Sequence, residues 1–238
     1  GFLYSFIKIL MRISFQNSKT IFVHNKYEKD LLKKIGLKNN KIIQTNGSGV
    51  NLKKFKFIKY TRNICDNYLF VGRLISDKGI YELISAFEYF NKKFKKKPKL
   101  TLAVLIDEDN ETSIHFNYLK KKLANTNITL KRNVKNVRNL LKSHGCLILP
   151  SYSEGMSKSI MEAISSGRPI ICSNISGCRE MVINNFNGFL VKPKSTSSIY
   201  QALKKFQNLK FEDKIKFGKN SRYLAEKNRF DEKYVVSH

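Results

Sequence analysis

The stretch LILPSYSEGMSKSIMEAI, residues 147–164, largely decides both the fold and the site. Its pattern predicts a buried strand over Cys146–Leu149, a Pro-Ser turn, a small polar loop and then a helix. Glu154 lies in the loop beside Gly155, and Glu162 follows after seven intervening residues, about one turn into the predicted helix. A strand that runs through a short loop into a helix indicates an α/β protein.

This loop has the chemistry of a nucleotide-sugar site. The backbone N–H groups of residues 155–159 are expected to point out of the helix N-terminus, where roughly half a positive charge attracts phosphate. Gly155 lets a ligand approach the backbone closely. Glu154 and Glu162 suit paired sugar hydroxyls because ionised carboxylates accept hydrogen bonds. The alternative is an ordinary helix start, at which acidic residues favour the helix dipole, and the carboxylate pair alone fits both interpretations.

Strands and helices alternate along the rest of the chain. The predicted strands are 20–23, 41–45, 67–71, 100–106, 127–130, 146–149, 169–173 and 187–191. The predicted helices are 3–15, 26–35, 80–94, 116–123, 136–142, 199–206 and 214–227, besides the helix in the quoted stretch. This alternation predicts an α/β fold with a Rossmann-like, doubly wound parallel sheet.

Composition narrows the class of protein. The chain has 238 residues, 42% of them hydrophobic, so a large core can be buried. The net charge of +27 favours anionic partners such as a phospholipid surface, nucleic acid or a polyphosphate substrate. The alternative is a compositional bias towards Lys, Asn, Ile, Phe and Tyr. The four cysteines form no CxxC pair and no zinc spacing, which favours a reducing cytoplasm.

The opening segment GFLYSFIKILM, residues 1–11, is apolar but shorter than a membrane span. It continues directly into a patterned segment, so we interpret it as a helix of a domain and not as a signal peptide.

A second basic loop follows the strand predicted at 67–71. Arg73 and Lys78 are placed there between that strand and the next helix. Ligands of open α/β sheets bind beyond the carboxyl ends of the strands, where an Arg can form a fork onto phosphate oxygens and a Lys can supply a compact charge. Alternatively, two basic residues in a loop of a very basic chain reflect its overall composition and do not indicate a binding site.

Taken together, four collinear segments resemble the C-terminal half of a GT-B glycosyltransferase of family four. The segments are GSGVNLKKF (47–55), FVGRLISDKGIYELISAF (70–87), LPSYSEGMSKSIMEAISSGRPII (149–171) and SGCREMVINNFNGFLVKP (176–193). The GCRE motif of the fourth segment is most similar to that of transferases that act on undecaprenyl-diphosphate sugars. Family four also includes capsule and exopolysaccharide enzymes. The resemblance covers nearly the whole chain.

The resemblance implies catalytic roles for three residues. Arg73 and Lys78 would bind the donor diphosphate and neutralise the leaving group. Glu154 would contact the donor sugar hydroxyls near the reaction centre. The reaction would be sugar transfer with retention, in which charge develops on the departing diphosphate and is stabilised by preorganised cations and N–H groups. The resemblance implies no metal and no cofactor besides the nucleotide-sugar co-substrate, with a UDP-sugar expected.

It also implies donor-binding roles for five further positions. Glu162 would hold the ribose hydroxyls. Gly155, Met156 and Ser157 would supply backbone contacts to sugar and phosphate, and Gly49 would lie near the phosphates at the domain cleft. Near the base, Lys131 and Arg132 stand where relatives tend to have an apolar residue and a glycine, so uridine recognition is the weakest part of the comparison.

The same resemblance implies a division of the chain into four parts. Residues 1–45 would be the end of an N-terminal Rossmann-like domain that is otherwise missing, and 46–66 an interdomain hinge. Residues 67–215 would form the donor-binding domain, and 216–238 a C-terminal helix that packs back toward the N-terminal domain. Such a chain would bind the donor.

The expected function is a retaining glycosyltransferase of bacterial surface glycan synthesis. It would use a lipid-linked or polysaccharide acceptor in the cytoplasm, bound peripherally at the anionic inner face of the membrane. One alternative is a non-catalytic basic module that binds polyanions; its lysines are scattered and no nucleic-acid motif is present, so we expect no nucleic-acid partner. A narrower alternative is a nucleotide-sugar epimerase of the same fold.

Overall fold

The computed structural model describes residues 1–94, 97–228 and 230–236. Its strands are β1 (Ile21–Val23), β2 (Ile42–Gln44), β3 (Asn67–Arg73), β4 (Lys99–Leu105), β5 (Ile128–Arg132), β6 (Cys146–Leu149), β7 (Ile170–Ser173) and β8 (Gly188–Val191). Its α-helices are α1 (Phe2–Gln16), α2 (Lys26–Lys34), α3 (Ile80–Asn91), α4 (Phe116–Leu123), α5 (Val137–Ser143), α6 (Lys158–Ser165), α7 (Thr196–Gln207), α8 (Phe211–Lys227) and α9 (Glu232–Val236).

A parallel sheet dominates the described part of the chain and contains six strands in the order β5-β4-β3-β6-β7-β8. The chain winds outward from β3 to β5 and then returns to place β6 on the other side of β3, where Tyr68 pairs with Cys146. The direction of winding therefore reverses between β3 and β6. Ligands of open α/β sheets bind at such a switch point, beyond the carboxyl ends of the strands. The predicted α/β, doubly wound parallel sheet is confirmed.

The strands form here because each is a short apolar run that can be covered on both faces. All four residues of β6 are buried, and so are those of β7. Tyr68 of β3 is fully buried among Phe87, Phe90 and Phe206, whose rings meet it edge-on. Its hydroxyl donates to Gln207 Oε1 at 2.7 Å, so the polar end of this core tyrosine is satisfied.

Three predicted helix boundaries differ by three residues from the structure. Helix α7 begins at Thr196 and not at 199, α8 begins at Phe211 and not at 214, and α3 ends earlier than predicted. The helix predicted to reach residue 94 ends at Asn91, and Lys92 caps it.

The strand predicted to begin at residue 100 begins one residue earlier, because Lys99 already belongs to β4, where it pairs with Asn67. Residues 95 and 96 of the lysine run that leads into β4 lie outside the described part of the chain. The last lysine of the run, Lys99, is therefore part of the sheet because it pairs with β3.

A smaller unit precedes the main sheet. Strands β1 and β2 pair in parallel, and α2 packs on them around a small core that includes Leu32 and Ile42. Met11 and Phe15 of helix α1 pack against this core. Seven other apolar side chains of α1 are exposed, namely Leu3, Tyr4, Phe6, Ile7, Ile9, Leu10 and Ile13. Within the residues that the structure describes, no helix combines the length and apolarity needed to cross a bilayer.

The segment between the two units is held by the end of the chain. Val50 N donates to Phe230 O at 2.8 Å, and Glu232 N donates to Val50 O at 3.2 Å. The boundary predicted between residues 215 and 216 falls inside α8, which runs unbroken and donates from Arg222 to the carbonyls of Phe55 and Ser165. The four-part division of the chain stays a prediction, while the contacts show that α8 packs on the main domain.

Candidate active site

A cleft of about 380 Å³ opens at the carboxyl edge of the main sheet, at the switch point between β3 and β6. Five of the residues singled out from the sequence line it: Arg73, Lys78, Glu154, Ser157 and Glu162. They come from the end of β3 and the turn that follows it, the loop after β6 and the first turns of α6. The fold therefore brings together two basic groups and two carboxylates that are up to 89 positions apart in the sequence (162 − 73).

Lys78 and Glu154 form an ion pair at the centre of this cleft. Lys78 Nζ lies 2.7 Å from Glu154 Oε1, and the two side chains are only 13% and 12% exposed. The hydroxyl of Ser151, which is fully buried, donates to the same oxygen at 2.7 Å. Two donors on Oε1 restrict the rotation of the carboxylate, so that Oε2 is the oxygen left for another contact.

The two loops that carry this pair are tied to each other. Tyr152 N donates to Asp77 O at 2.8 Å. Gly79 adopts a left-handed conformation with φ of 70° and packs directly against the carbonyl group of Pro150. A side chain at position 79 would collide with that carbonyl, so a glycine is required by both the backbone conformation and the space.

A third loop supports Glu154 from below. Gly177 has φ of 83°, and a Cβ there would lie 2.5 Å from Glu154 O and would also collide with Gly155 O. Its carbonyl accepts a hydrogen bond from Ser157 N at 3.3 Å. Glu180 in turn accepts from Gly177 N at 2.6 Å. The GCRE segment, residues 177–180, thus packs against the backbone of the Glu154–Gly155 loop and supports it.

Arg73 is held differently from Lys78. Arg73 Nη1 donates to Asp107 Oδ2 at 2.8 Å, in a pair whose side chains are 50% and 27% exposed. Asp107 follows β4, the neighbour of β3, so parallel pairing brings the two residues to one edge of the sheet. Because this pair is open to solvent, its attraction is weakened by screening and the guanidinium remains available to an anion.

The N-terminus of α6 forms the other wall of the cleft. Helix α6 begins at Lys158, and the Ser157 side chain caps it by accepting from Ile160 N. The predicted row of free N–H groups over 155–159 is wrong at Ser157, because that N–H is already donated to Gly177 O. Lys158 and Ser159, the first two residues of α6, also line the cleft. The segment proposed to contact phosphate at the helix start is therefore shorter than predicted.

Glu162 lies one turn further along α6 and also lines the cleft. Burial raises the pKa of this carboxyl, while the nearby ammonium groups of Lys158 and Lys54 lower it. Lys54 belongs to the segment between the two units, so that segment contributes positive charge to the Glu162 end of the cleft. A half-buried carboxylate facing open space is suited to accept two hydroxyl hydrogen bonds.

Three of the predicted donor-binding residues lie outside this lining. Gly155 O accepts a hydrogen bond from Asn25 Nδ2 at 2.8 Å, so this glycine faces the small unit. Met156 packs on the main core, where it borders Gly47. Gly49 lies beneath Glu232, whose Cα would be 2.7 Å from a Cβ at that position. Their contacts with a donor stay predictions.

The structure adds residues that the motif analysis missed. Asp107 and Ser151 hold the two predicted charged groups, and Leu105 and Val137 provide an apolar end to the cleft. Ser151 lies in the quoted stretch three positions before Glu154, so its hydroxyl could have been considered as a partner. The position of Asp107 depends on the order of the strands, which the sequence does not state.

A doubly wound parallel sheet with a charged cleft at its switch point is the architecture of one Rossmann-like domain of a GT-B glycosyltransferase. A family model described as "Glycosyl transferases group 1" matches residues 54–223. The chain belongs to this family.

Named relatives are consistent with this assignment. The chain is 26% identical over 169 residues to the "Capsular polysaccharide biosynthesis glycosyltransferase CapM" of Staphylococcus aureus, covering 68% of this chain and 44% of that protein. It is 28% identical over 205 residues to the "UDP-Gal:alpha-D-GlcNAc-diphosphoundecaprenol alpha-1,3-galactosyltransferase" of Escherichia coli, covering 78% of this chain and 50% of that one. The chain thus spans about half the length of these relatives.

A solved structure supports the fold independently. The crystal structure of a glycosyltransferase from Rickettsia africae superimposes with a TM-score of 0.78 at 21% identity, covering 95% of this chain and 64% of that one. The small unit and the main domain are therefore both included in a known arrangement of the GT-B fold.

Proposed function

We propose that this chain is the donor-binding part of a retaining glycosyltransferase that takes its sugar from a UDP-sugar. The observation that carries the proposal is the convergence of Arg73, Lys78, Glu154 and Glu162 on one cleft at the switch point. The printed name of the Escherichia coli relative, which includes a UDP-galactose donor and a diphosphoundecaprenol acceptor, supports uridine and a lipid-linked acceptor.

Each group has a physical task in this proposal. Arg73 and Lys78 neutralise the donor diphosphate, and they stabilise the charge that grows on it as the bond to the sugar breaks. Glu162, in the first turns of α6, accepts hydrogen bonds from the ribose hydroxyls. Glu154 accepts hydrogen bonds from hydroxyls of the donor sugar through Oε2. The N-terminus of α6 adds its partial positive charge to the phosphate side.

The proposed donor site uses protein cations and no metal. Arg73 and Lys78, which pair with Asp107 and Glu154 in the structure, are the cations proposed to contact the diphosphate. We therefore expect nucleotide binding to be the same in EDTA as in added Mg²⁺. A loss of binding in EDTA would assign part of this charge to a metal ion.

The test is the thermal stability of the 238-residue chain with UDP, GDP and ADP, each with and without an attached sugar. A ligand at a hundred times its dissociation constant is expected to add roughly 2.7 kcal/mol to the unfolding free energy. We expect the shift with uridine nucleotides, its loss in Arg73→Ala, and its retention in Arg62→Ala, which removes an exposed charge elsewhere. Absence of a shift with every nucleotide would contradict the proposal.

The acceptor and the stereochemistry require separate measurements. We propose a lipid-linked or polysaccharide acceptor at the anionic inner face of the membrane, for which the charge of +27 is the supporting observation. Flotation with vesicles that contain anionic lipid, but not with neutral vesicles, is the expected result. Retention predicts that the sugar keeps its anomeric configuration, as measured by proton NMR of the product. A changed sugar nucleotide in the absence of acceptor would indicate an epimerase.

A further inference from the structure

We propose that Ser151 is a positioning residue, which fixes the Glu154 carboxylate so that one chosen oxygen faces the donor sugar. This inference rests on the proposed function of Glu154 as the reader of the sugar hydroxyls. It assigns a role to a side chain that is fully buried and lies outside the cleft lining.

The geometry at Glu154 supports this role. Its Oε1 accepts from the Ser151 hydroxyl and from the Lys78 ammonium, each at 2.7 Å. Lys78 has a second task in the proposed site, since the donor diphosphate competes for its charge. When the diphosphate draws on Lys78, the hydroxyl of Ser151 remains as a contact on Oε1 that does not depend on the ligand.

The backbone around Ser151 makes this contact rigid. Ser151 follows Pro150, whose carbonyl packs on Gly79, and it precedes Tyr152, whose N–H is bound by Asp77 O. Tyr152 is anchored further by its hydroxyl, which donates to Glu82 Oε1 at 2.6 Å. A donor on such a rigid segment can hold a carboxylate in one rotamer, which is what a preorganised site requires.

The chain offers a matched control in Ser173. This serine is also fully buried, lies at the carboxyl end of β7, and its hydroxyl has no hydrogen-bond partner among the described residues. Ser173→Ala therefore makes the same chemical change in a similar environment without affecting Glu154. Ser151→Thr is the rescue variant because it keeps a hydroxyl at the same position.

The experiment measures the affinities of the full chain for UDP, UDP-galactose and UDP-N-acetylglucosamine by calorimetry. We expect Ser151→Ala to weaken the preferred UDP-sugar about tenfold, the loss that corresponds to one hydrogen bond at a charged group. UDP itself, which lacks the sugar, is expected to change less than about twofold because Arg73, Lys78 and Glu162 are intact. Ser151→Thr restores the affinity and Ser173→Ala leaves it unchanged. Equal weakening of UDP and UDP-sugar, or weakening of neither, would overturn the inference.

A second measurement keeps this inference separate from the proposed function. Urea unfolding of Ser151→Ala, Glu154→Ala and the double variant gives the coupling between the two side chains without any ligand, because alanine at position 154 removes the oxygen that accepts from Ser151. Coupling is expected for this pair and not for Ser173→Ala with Glu154→Ala. If the two side chains are coupled in a chain that binds no nucleotide, the proposed function is contradicted while the contact between Ser151 and Glu154 stands. If they are not coupled, the positioning role of Ser151 is overturned.

Discussion

Lys78 and Glu154 are 76 positions apart in the sequence, yet Lys78 Nζ lies 2.7 Å from Glu154 Oε1 in a nearly buried pair. The pair exists because β3 and β6 are neighbours in the sheet and their following loops meet at one edge. Without a ligand, the cation proposed to bind the diphosphate is therefore neutralised by the carboxylate proposed to bind the sugar. A donor that contacts both groups can separate their charges without leaving either unpaired.

Breaking this pair on one side is expected to destabilise the protein. Lys78→Met leaves Glu154 nearly buried without its cation, and Glu154→Gln does the converse, so each is expected to lower the unfolding free energy by up to about 3 kcal/mol. The double variant should recover part of that loss. Urea denaturation measures these values.

The control for this comparison is the pair of Arg222 and Glu226, in which the carboxylate is 55% exposed. Glu226→Gln is expected to cost less than about 1 kcal/mol because solvent screens an exposed pair. If the single variants at Lys78 and Glu154 lower the unfolding free energy no more than this control does, the Lys78–Glu154 pair makes no measurable contribution to stability.

Asp107 pairs with Arg73 and is therefore expected to compete with the proposed diphosphate for the guanidinium. Asp107→Asn releases the guanidinium and removes a negative charge beside the proposed diphosphate, so UDP is expected to bind about two- to fivefold more tightly. Asp109→Asn removes the same charge two positions further along the loop, on an exposed residue. Calorimetry with UDP compares the two variants. An equal gain in both would attribute the effect to net charge and not to Arg73.

Glu162 is expected to cost stability at neutral pH. Burial raises the pKa of its carboxyl in the folded chain, so the folded state binds the proton more tightly than the unfolded state. Stability then falls as the pH rises from the ordinary carboxyl pKa through the raised folded value. Glu162→Gln should therefore raise the melting temperature at about pH 7 and lose this advantage near pH 4, while weakening UDP binding.

A matched test of this pH dependence is Glu108→Gln, at an exposed carboxylate. Its melting temperature is expected to follow that of the wild-type chain across the pH range. A gain for Glu162→Gln that persists unchanged at low pH would arise from packing and not from the charge.

The stability of the fold is predicted to be sensitive to alanine at Gly177 and insensitive to alanine at Gly155. Gly177→Ala adds a Cβ that collides with the backbone of the Glu154–Gly155 loop, at a φ of 83° that alanine rarely adopts. It should destabilise the protein and weaken UDP-sugar binding. Gly155→Ala meets no atom closer than 3.7 Å and should change the unfolding free energy by less than about 0.5 kcal/mol.

Affinity measurements on Gly155→Ala also test its proposed contact with the donor. A fold that is unchanged together with weaker UDP-sugar binding is the expected result. Urea denaturation that finds Gly155→Ala as damaging as Gly177→Ala would contradict the supporting role assigned to the GCRE segment.

Much of the fold could be predicted from local pattern. The runs that became β6 and α4 were bounded correctly, because an apolar run between turn residues and an apolar stripe of helical spacing leave few alternatives. The boundaries on either side of the lysine run before β4 were predicted less well, since the helix was expected to reach residue 94 and the strand to begin at residue 100. Pairing of Lys99 with Asn67 is a contact across the sheet, and local charge says nothing about it.

The site was predictable in composition and less so in its internal contacts. The motif identified Arg73, Lys78, Glu154 and Glu162 as separate ligand contacts, whereas the structure joins two of them to each other. Asp107 could not be foreseen because its position depends on β4 lying next to β3. The N–H of Ser157 was expected to be free, and only the packing of Gly177 against the loop shows that it is occupied.

The hydrogen bond from Asn25 Nδ2 to Gly155 O connects the small unit to the loop that carries Glu154. Asn25 is nearly fully buried and also caps α2, because its Oδ1 accepts from Glu28 N, so its amide moves with that helix. A rotation of the small unit about the segment at Gly49 must therefore either break this bond or pull on the residue next to Glu154. If residues 46–66 act as the predicted hinge, this hydrogen bond therefore couples the angle between the two units to the position of the Glu154–Gly155 loop.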